Sequence, residues 1–266
     1  MSTLPTLFIS HGSPMLAIQD SPARQFLQQL GETLPRPRAI LVASAHWESS
    51  GTSAVSFAAH PKTVHDFGGF PAALFAIQYP APGAPEIAKY VVELLNAADI
   101  PVVASTDRGL DHGAWVPLSL MYPAADIPVV QIALMRGASP REHERLGKAL
   151  SVLREQDVLI IGSGSLTHNL NEFRGQPIDA PTPSWVTEFE TWMHTTLQKC
   201  DYDQLRDYRR LAPSAERNHP TEEHLLPLFV ALGAAGTTAR AKRIHASYQY
   251  GILAMDVYAF SSSSSG

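Results

Sequence analysis

Four short runs in this chain are apolar almost end to end: Thr6–Ser10 (TLFIS), Ala39–Ala45 (AILVASA), Val129–Leu134 (VVQIAL) and Val158–Ile161 (VLII). A strand with one wet face alternates apolar and polar residues, whereas a strand covered on both faces has no need to. Between these runs lie stretches with helical spacing. Pro22–Leu30 follows the N-cap region Asp20-Ser21, and Glu86–Ala97 carries Ile87, Val91, Leu94 and Leu95 at three-to-four spacing. Ser139-Pro140 opens a third helix running to about Arg154, with proline at the first helical position. Pro183–Gln198 is a fourth and Thr221–Leu232 a fifth, with Thr221 as its N-cap. Arg243–Gln249 and Leu253–Phe260 read as later strands joined by a turn at Gly251. The alternation predicts an α/β fold: a single three-layer αβα domain over residues 1–260 with a mainly parallel central sheet. In such folds the ligand site lies at the carboxyl edge of the strands. The tail 261–266 is serines ending in glycine, has no apolar residue to bury, and is expected to be disordered.

Composition narrows the function classes. Hydrophobic residues make up 45% and charged residues 17%, which excludes disorder of the whole chain. The net charge is −5 with no dense basic run, which argues against nucleic acid or an anionic membrane surface as a partner. No apolar run approaches the ~18 residues of a membrane span, and the N-terminus lacks the charged start and apolar stretch of a signal peptide. The lone Cys200 cannot form an internal disulfide, which fits a reducing compartment. A soluble, cytoplasmic protein is expected; the oligomeric state is not legible.

The chain has 11 histidines, and their positions matter more than their number. His11 and His46 directly follow the first two predicted strands, and His168 lies just past the fourth. In a parallel sheet all three emerge on one edge, a pattern suited to metal ligation or acid–base work. The bland reading is that each is a capped loop residue, and no HExxH or CxxC signature is present. The loop Val64–Pro71 holds His65, two glycines and two phenylalanines, and reads equally as a lid or as a structural turn. His112 begins an apolar helix, where the helix dipole favours negative charge and could help it donate to an anionic intermediate; alternatively Asp111 caps that helix and His112 is incidental. Asn218–Pro227 holds His219 and His224. His143, His194 and His245 sit in polar contexts and are expected at the surface, with His60 undecided.

Six motifs then occur in order between residue 8 and about 229: SHGSP, SAHW, HDFGGFP, DHGAW, a glycine-serine turn before HN, and EHLLPL. In this pattern the chain resembles the class III extradiol ring-cleavage dioxygenases of the LigB superfamily, in the 4,5-DOPA dioxygenase-like branch. The resemblance implies one divalent metal per chain, held by His11, His46 and His224, with Fe(II) for activity and Zn(II) in the isolated protein. It implies that His168 is the acid–base histidine and that His112 serves both in catalysis and in lining the substrate and oxygen pocket. His65 and Trp115 are further lining candidates, and Trp47, Phe67 and Phe70 suit a flat ring. Better-known members of the superfamily use two histidines and a glutamate; here His224 occupies the third position, and Glu222 and Glu223 fit the motif less well. The implied partners are a catechol-type substrate and O2, and the implied product is a muconic semialdehyde. A zinc-dependent hydrolase using the same three histidines, and a non-catalytic binding protein on this fold, are the rival readings.

Overall fold

The computed structural model describes residues 3–262. Its strands are β1 (Thr6–Ser10), β2 (Ala39–Ser50), β3 (Ser53–Ser56), β4 (Val102–Ser105), β5 (Val129–Arg136), β6 (Val158–Gly164), β7 (Ala239–His245), β8 (Tyr248–Gln249), β9 (Leu253–Ala254) and β10 (Val257–Ser262). Eight of them form one sheet in the order β4-β3-β5-β2-β6-β1-β10-β7, while β8 and β9 pair apart as a two-stranded ribbon. The central four strands, β5, β2, β6 and β1, are mutually parallel. β10 and β3 add antiparallel to the two flanks of this block.

The apolar runs are buried on both faces, as their lack of alternation requires. Leu7, Ile9, Ile40, Val42, Leu159 and Ile161 point into one core, packed against the helices Pro22–Thr33 and His112–Met121. Phe8, Leu41, Ala43, Val158 and Ile160 point into the other, under the helices Pro85–Ala97, Pro140–Ala149, Ser184–Gln198 and Leu226–Ala235. Helices therefore cover both sides of the sheet, giving the three predicted layers. Every residue of Leu226–Ala235 is buried. Its approach is close enough to demand glycine on β6: an added Cβ at Gly162 would lie 2.0 Å from the Pro227 carbonyl oxygen, and one at Gly164 2.1 Å from that of His224.

Several sequence expectations are corrected. β2 runs on to Ser50 and contains a bulge: Ser44 pairs with Ala133 and Glu48 with Leu134, so residues 45–47 have no partner on β5. His46 thus sits within a bulged strand rather than beyond its end. β3 and β4 were not foreseen, being four residues each and poor in strand signal. The stretch Arg243–Gln249 divides into β7 and β8, and Leu253–Phe260 into β9 and β10, so Gly251 turns the small ribbon rather than two long strands. The helix from Pro140 ends at Ala149, and a 3-10 segment covers Ser151–Gln156. The helix expected from Thr221 begins at Leu226, after turns that carry His224. His143 is fully buried, not at the surface: its Nε2 lies 3.2 Å from the Met135 amide and its Nδ1 3.0 Å from the Ser139 carbonyl, so both ring nitrogens are paired to backbone. His194 and His245 are half-buried and His60 is exposed. β10 extends through Ser262, two residues into the serine run; 263–266 lie outside the described residues.

Candidate metal centre

His11 follows the last residue of β1, and its amide continues the parallel ladder to the Gly164 carbonyl at 2.9 Å. Its Nδ1 is 3.0 Å from the Ser163 hydroxyl, whose single proton is donated to the Gly113 carbonyl. Ser163 must then accept from His11, which puts the imidazole proton on Nδ1 and leaves Nε2 bare. His46 is aimed by the β2 bulge, with its amide on Ser44 Oγ at 3.2 Å and its carbonyl taking a hydrogen bond from Arg108 at 3.2 Å. Its Nδ1 lies 3.4 Å from Asp66 Oδ2, which favours the same tautomer. The two Nε2 atoms meet at 3.1 Å.

His224 arrives from the turn before the helix Leu226–Ala235, pinned by its carbonyl, which accepts from the Ser165 amide at 2.8 Å. Its Nδ1 is 2.9 Å from Glu223 Oε1, and its buried Nε2 has no hydrogen-bond partner among the described residues. One ring nitrogen from each of His11, His46 and His224 lies within 4.8 Å of the others. Two lone pairs facing each other at 3.1 Å call for a proton or a cation between them, and an orphaned buried nitrogen beside them calls for the same. The residues therefore fit a metal ion, and all-nitrogen donor sets of this kind suit zinc or iron. Burial drives all three rings toward the neutral, ligating form. The His11 and His224 pKa values fall well below the usual range, chiefly by loss of solvation and then by the neighbouring imidazoles. His46 is lowered to about 4 by burial and by His112, against the pull of Asp111 and Asp66.

The remaining candidates surround this point. His168 stacks on His224 with ring centroids 3.5 Å apart and planes 9° apart. Burial lowers its pKa to about 4, opposed by the Glu223 carboxylate. His112 opens its helix 3.9 Å, centroid to centroid, from His46, and Phe67 meets it edge-on at 5.6 Å. Asp111 does cap this helix, accepting from the Ala114 amide at 3.1 Å, and the His112 ring lies within the histidine cluster. Buried Asp111 also accepts from Ser44 at 2.6 Å, from Gln131 at 2.8 Å and from Arg108, tying β2 and β5 to the start of that helix. His65 lies at the periphery with Nε2 held 3.0 Å from the Ile77 carbonyl. Trp115 is fully buried and its indole N–H donates to the Val64 carbonyl at 3.0 Å, so it supports the 64–71 loop from behind. Trp47 carries the Arg108 guanidinium 5.0 Å above its ring.

Two carboxylates were missed by sequence reasoning. Asp66 Oδ1 accepts the His112 amide at 2.9 Å and lies 3.0 Å from His112 Nδ1. Burial pushes this carboxyl up, but His112 outweighs it through hydrogen bonding and charge and holds the pKa at about 2. Glu223 was noted only as a poorer ligand; here it backs His224. The HDFGGFP motif was the available signal for Asp66, but its partner is 46 residues away, brought near by a parallel bridge between Thr63 and Leu110.

Fold and site together define an α/β protein with a histidine cluster, able to hold a metal ion, at the carboxyl edge of parallel strands. Residues 5–260 match the family described as the catalytic LigB subunit of aromatic ring-opening dioxygenase, and the chain belongs to that family. It is 46% identical to a 4,5-DOPA dioxygenase extradiol of Beta vulgaris over 97% of this chain and 96% of that one. A protein of the same description from Escherichia coli (strain K12) is 41% identical over 87% of this chain and 85% of its own length. Among solved structures, an uncharacterized protein of Escherichia coli K12 superposes with a TM-score of 0.79 at 33% identity, covering 96% of this chain and 99% of that one. The chain is an extradiol ring-cleaving dioxygenase; these relatives favour neither the hydrolase nor the binding-protein reading. Among the described residues no helix is long and apolar enough to cross a membrane.

Proposed function

We propose that the chain holds one divalent metal through His11, His46 and His224, and opens the ring of a DOPA-like catechol beside its diol, with both atoms of O2 ending in a muconic semialdehyde. The observation that carries this reading is the convergence of three imidazole nitrogens, from residues far apart in sequence, with the His224 Nε2 left without a hydrogen-bond partner among the described residues. Bound there, Fe(II) would supply open coordination positions, acidify the catechol hydroxyls and provide the redox change that zinc lacks.

The chain's own residues do the rest. His168, kept neutral by burial, takes the proton of the second catechol hydroxyl on its imidazole and later returns one to the oxygenated ring. Acid–base work of this kind contributes typically ~10²–10⁴ in rate. His112 has Nδ1 directed to Asp66, which leaves Nε2 to meet the bound molecule. In the neutral ring that nitrogen accepts a hydrogen bond, and donating to an anion requires the doubly protonated ring. Phe67 stands against His112 as an aromatic wall for a flat substrate, with Phe70 edge-on behind it and His65 at the rim. Trp115 acts by stiffening that wall.

The deciding experiment is anaerobic reconstitution with Fe(II), followed by an oxygen-electrode screen of catechols that includes DOPA. Oxygen uptake equal to catechol consumed, with a yellow ring-opened product, is expected from the iron protein and not from the zinc protein. Failure of the iron-loaded protein to consume oxygen with any catechol would overturn the reading.

A further inference from the structure

Each of the three converging imidazoles is held from behind, but by different means. His11 leans on a neutral hydroxyl, Ser163, at 3.0 Å, and His224 on the carboxylate of its own neighbour Glu223, at 2.9 Å. His46 faces a carboxylate that also faces a second ring. Asp66 Oδ2 is 3.4 Å from His46 Nδ1, while Oδ1 accepts the His112 amide at 2.9 Å and lies 3.0 Å from His112 Nδ1. The hydrogen bond from the His112 amide fixes the carboxylate at the start of the helix His112–Met121, where the free backbone amides favour a negative group.

We propose that Asp66 is a positioning residue that couples the metal-facing His46 to the substrate-facing His112, one carboxylate fixing the Nδ1–H tautomer of both rings. An ionised carboxylate only accepts hydrogen bonds, so each ring that faces it keeps its proton on Nδ1 and presents a bare Nε2. For His46 that nitrogen is the one already 3.1 Å from His11 Nε2. For His112 it is the one left for a substrate hydroxyl. The His112 contact is close at 3.0 Å, yet its buried Nδ1 has no hydrogen bond among the described residues. Such contacts commonly tighten when the site fills. Asp66 is carried on the exposed loop that also bears Phe67, and its side chain is 23% exposed. Movement of that aromatic wall would therefore reach both histidines through one side chain.

This inference rests on the proposed roles of His46 and His112, and its test does not depend on turnover. Asp66→Ala and Asp66→Asn would be prepared in the zinc-loaded full chain; the position is outside both cores, and circular dichroism checks the fold. Chelator competition should show zinc affinity reduced about 10–100-fold in Asp66→Ala, the usual effect of removing an outer partner of a ligating histidine. Long-range proton–nitrogen NMR should find His112 as the Nδ1–H tautomer in the native protein and as a mixture or the Nε2–H form in both variants. In the iron protein, kcat should fall more than KM rises. Zinc affinity within twofold of native in both variants would overturn the coupling. So would weakened zinc binding with the His112 tautomer unchanged, because Asp66 would then serve His46 alone. Should the native iron protein open no catechol, the catalytic reading fails while affinity and tautomer still decide the coupling.

Discussion

The histidine cluster and the ion cluster around Arg243 both bury ionisable groups, and they do so in opposite ways. At Arg243, one guanidinium is shared by Glu190 and by Asp256, the latter 3.2 Å away, and Tyr248 donates to Glu190 at 3.2 Å. Its charges are answered from within the chain. In the histidine cluster His11, His46, His168 and His224 are pressed together and stripped of charge by burial, yet a buried nitrogen of His224 is answered by nothing among the described residues. Polar groups that close on themselves hold a fold together, whereas groups left open await a ligand.

The comparison is broken most severely by His224→Ala. Metal analysis should show loss of the bound ion, and oxygen uptake should disappear. Retention of one full equivalent at native affinity would remove His224 from the ligand set. His168→Ala sharpens it, since the stacked ring is not needed to hold the ion. Metal content should stay at one equivalent while turnover drops by ~10²–10⁴, and near-native turnover would end its acid–base assignment. On the other side, Arg243→Met leaves two buried carboxylates unanswered. Urea unfolding should show a loss of about 2–4 kcal/mol, with metal affinity unaltered.

The smallest effect concerns pH. Burial, then the neighbouring Glu190, raises the Asp256 carboxyl to about 7 against the pull of Arg243. Between roughly pH 4, its unfolded value, and pH 7 the folded state then holds a proton that the unfolded state has released. Stability from this group is full below that window and is lost as pH rises through it. Relative to the native chain, Asp256→Asn should flatten that decline. An unchanged difference in stability between pH 4 and 7 would show that Asp256 does not titrate there.

The central layers were legible in the sequence because β1, β2, β5 and β6 are covered on both faces, and double burial leaves continuous apolar runs. β4 was not, because its two central residues are exposed and four residues give no period to read. His11 and His168 were placed by local order alone, each following a run that became a strand. The bulge that aims His46 depends on register with β5, a non-local fact. The true start of the helix at Leu226 was hidden because Thr221 looks like a cap, while the intervening turns deliver His224 and Glu223. His143 was misread because nothing in a polar helix announces that one of its rings will bridge to a strand amide.

The closeness of Leu226–Ala235 to β6 has a consequence for how the centre could be lost or retuned. Ser165 secures the His224 carbonyl, and Gly164 leaves no room between strand and turn. A lone methyl group at 164 would act as a wedge, tilting the last imidazole out of focus while every nitrogen donor kept its chemical identity. The chain's capacity to grip an ion is thus guarded by a missing side chain, at a residue that bears no functional group at all.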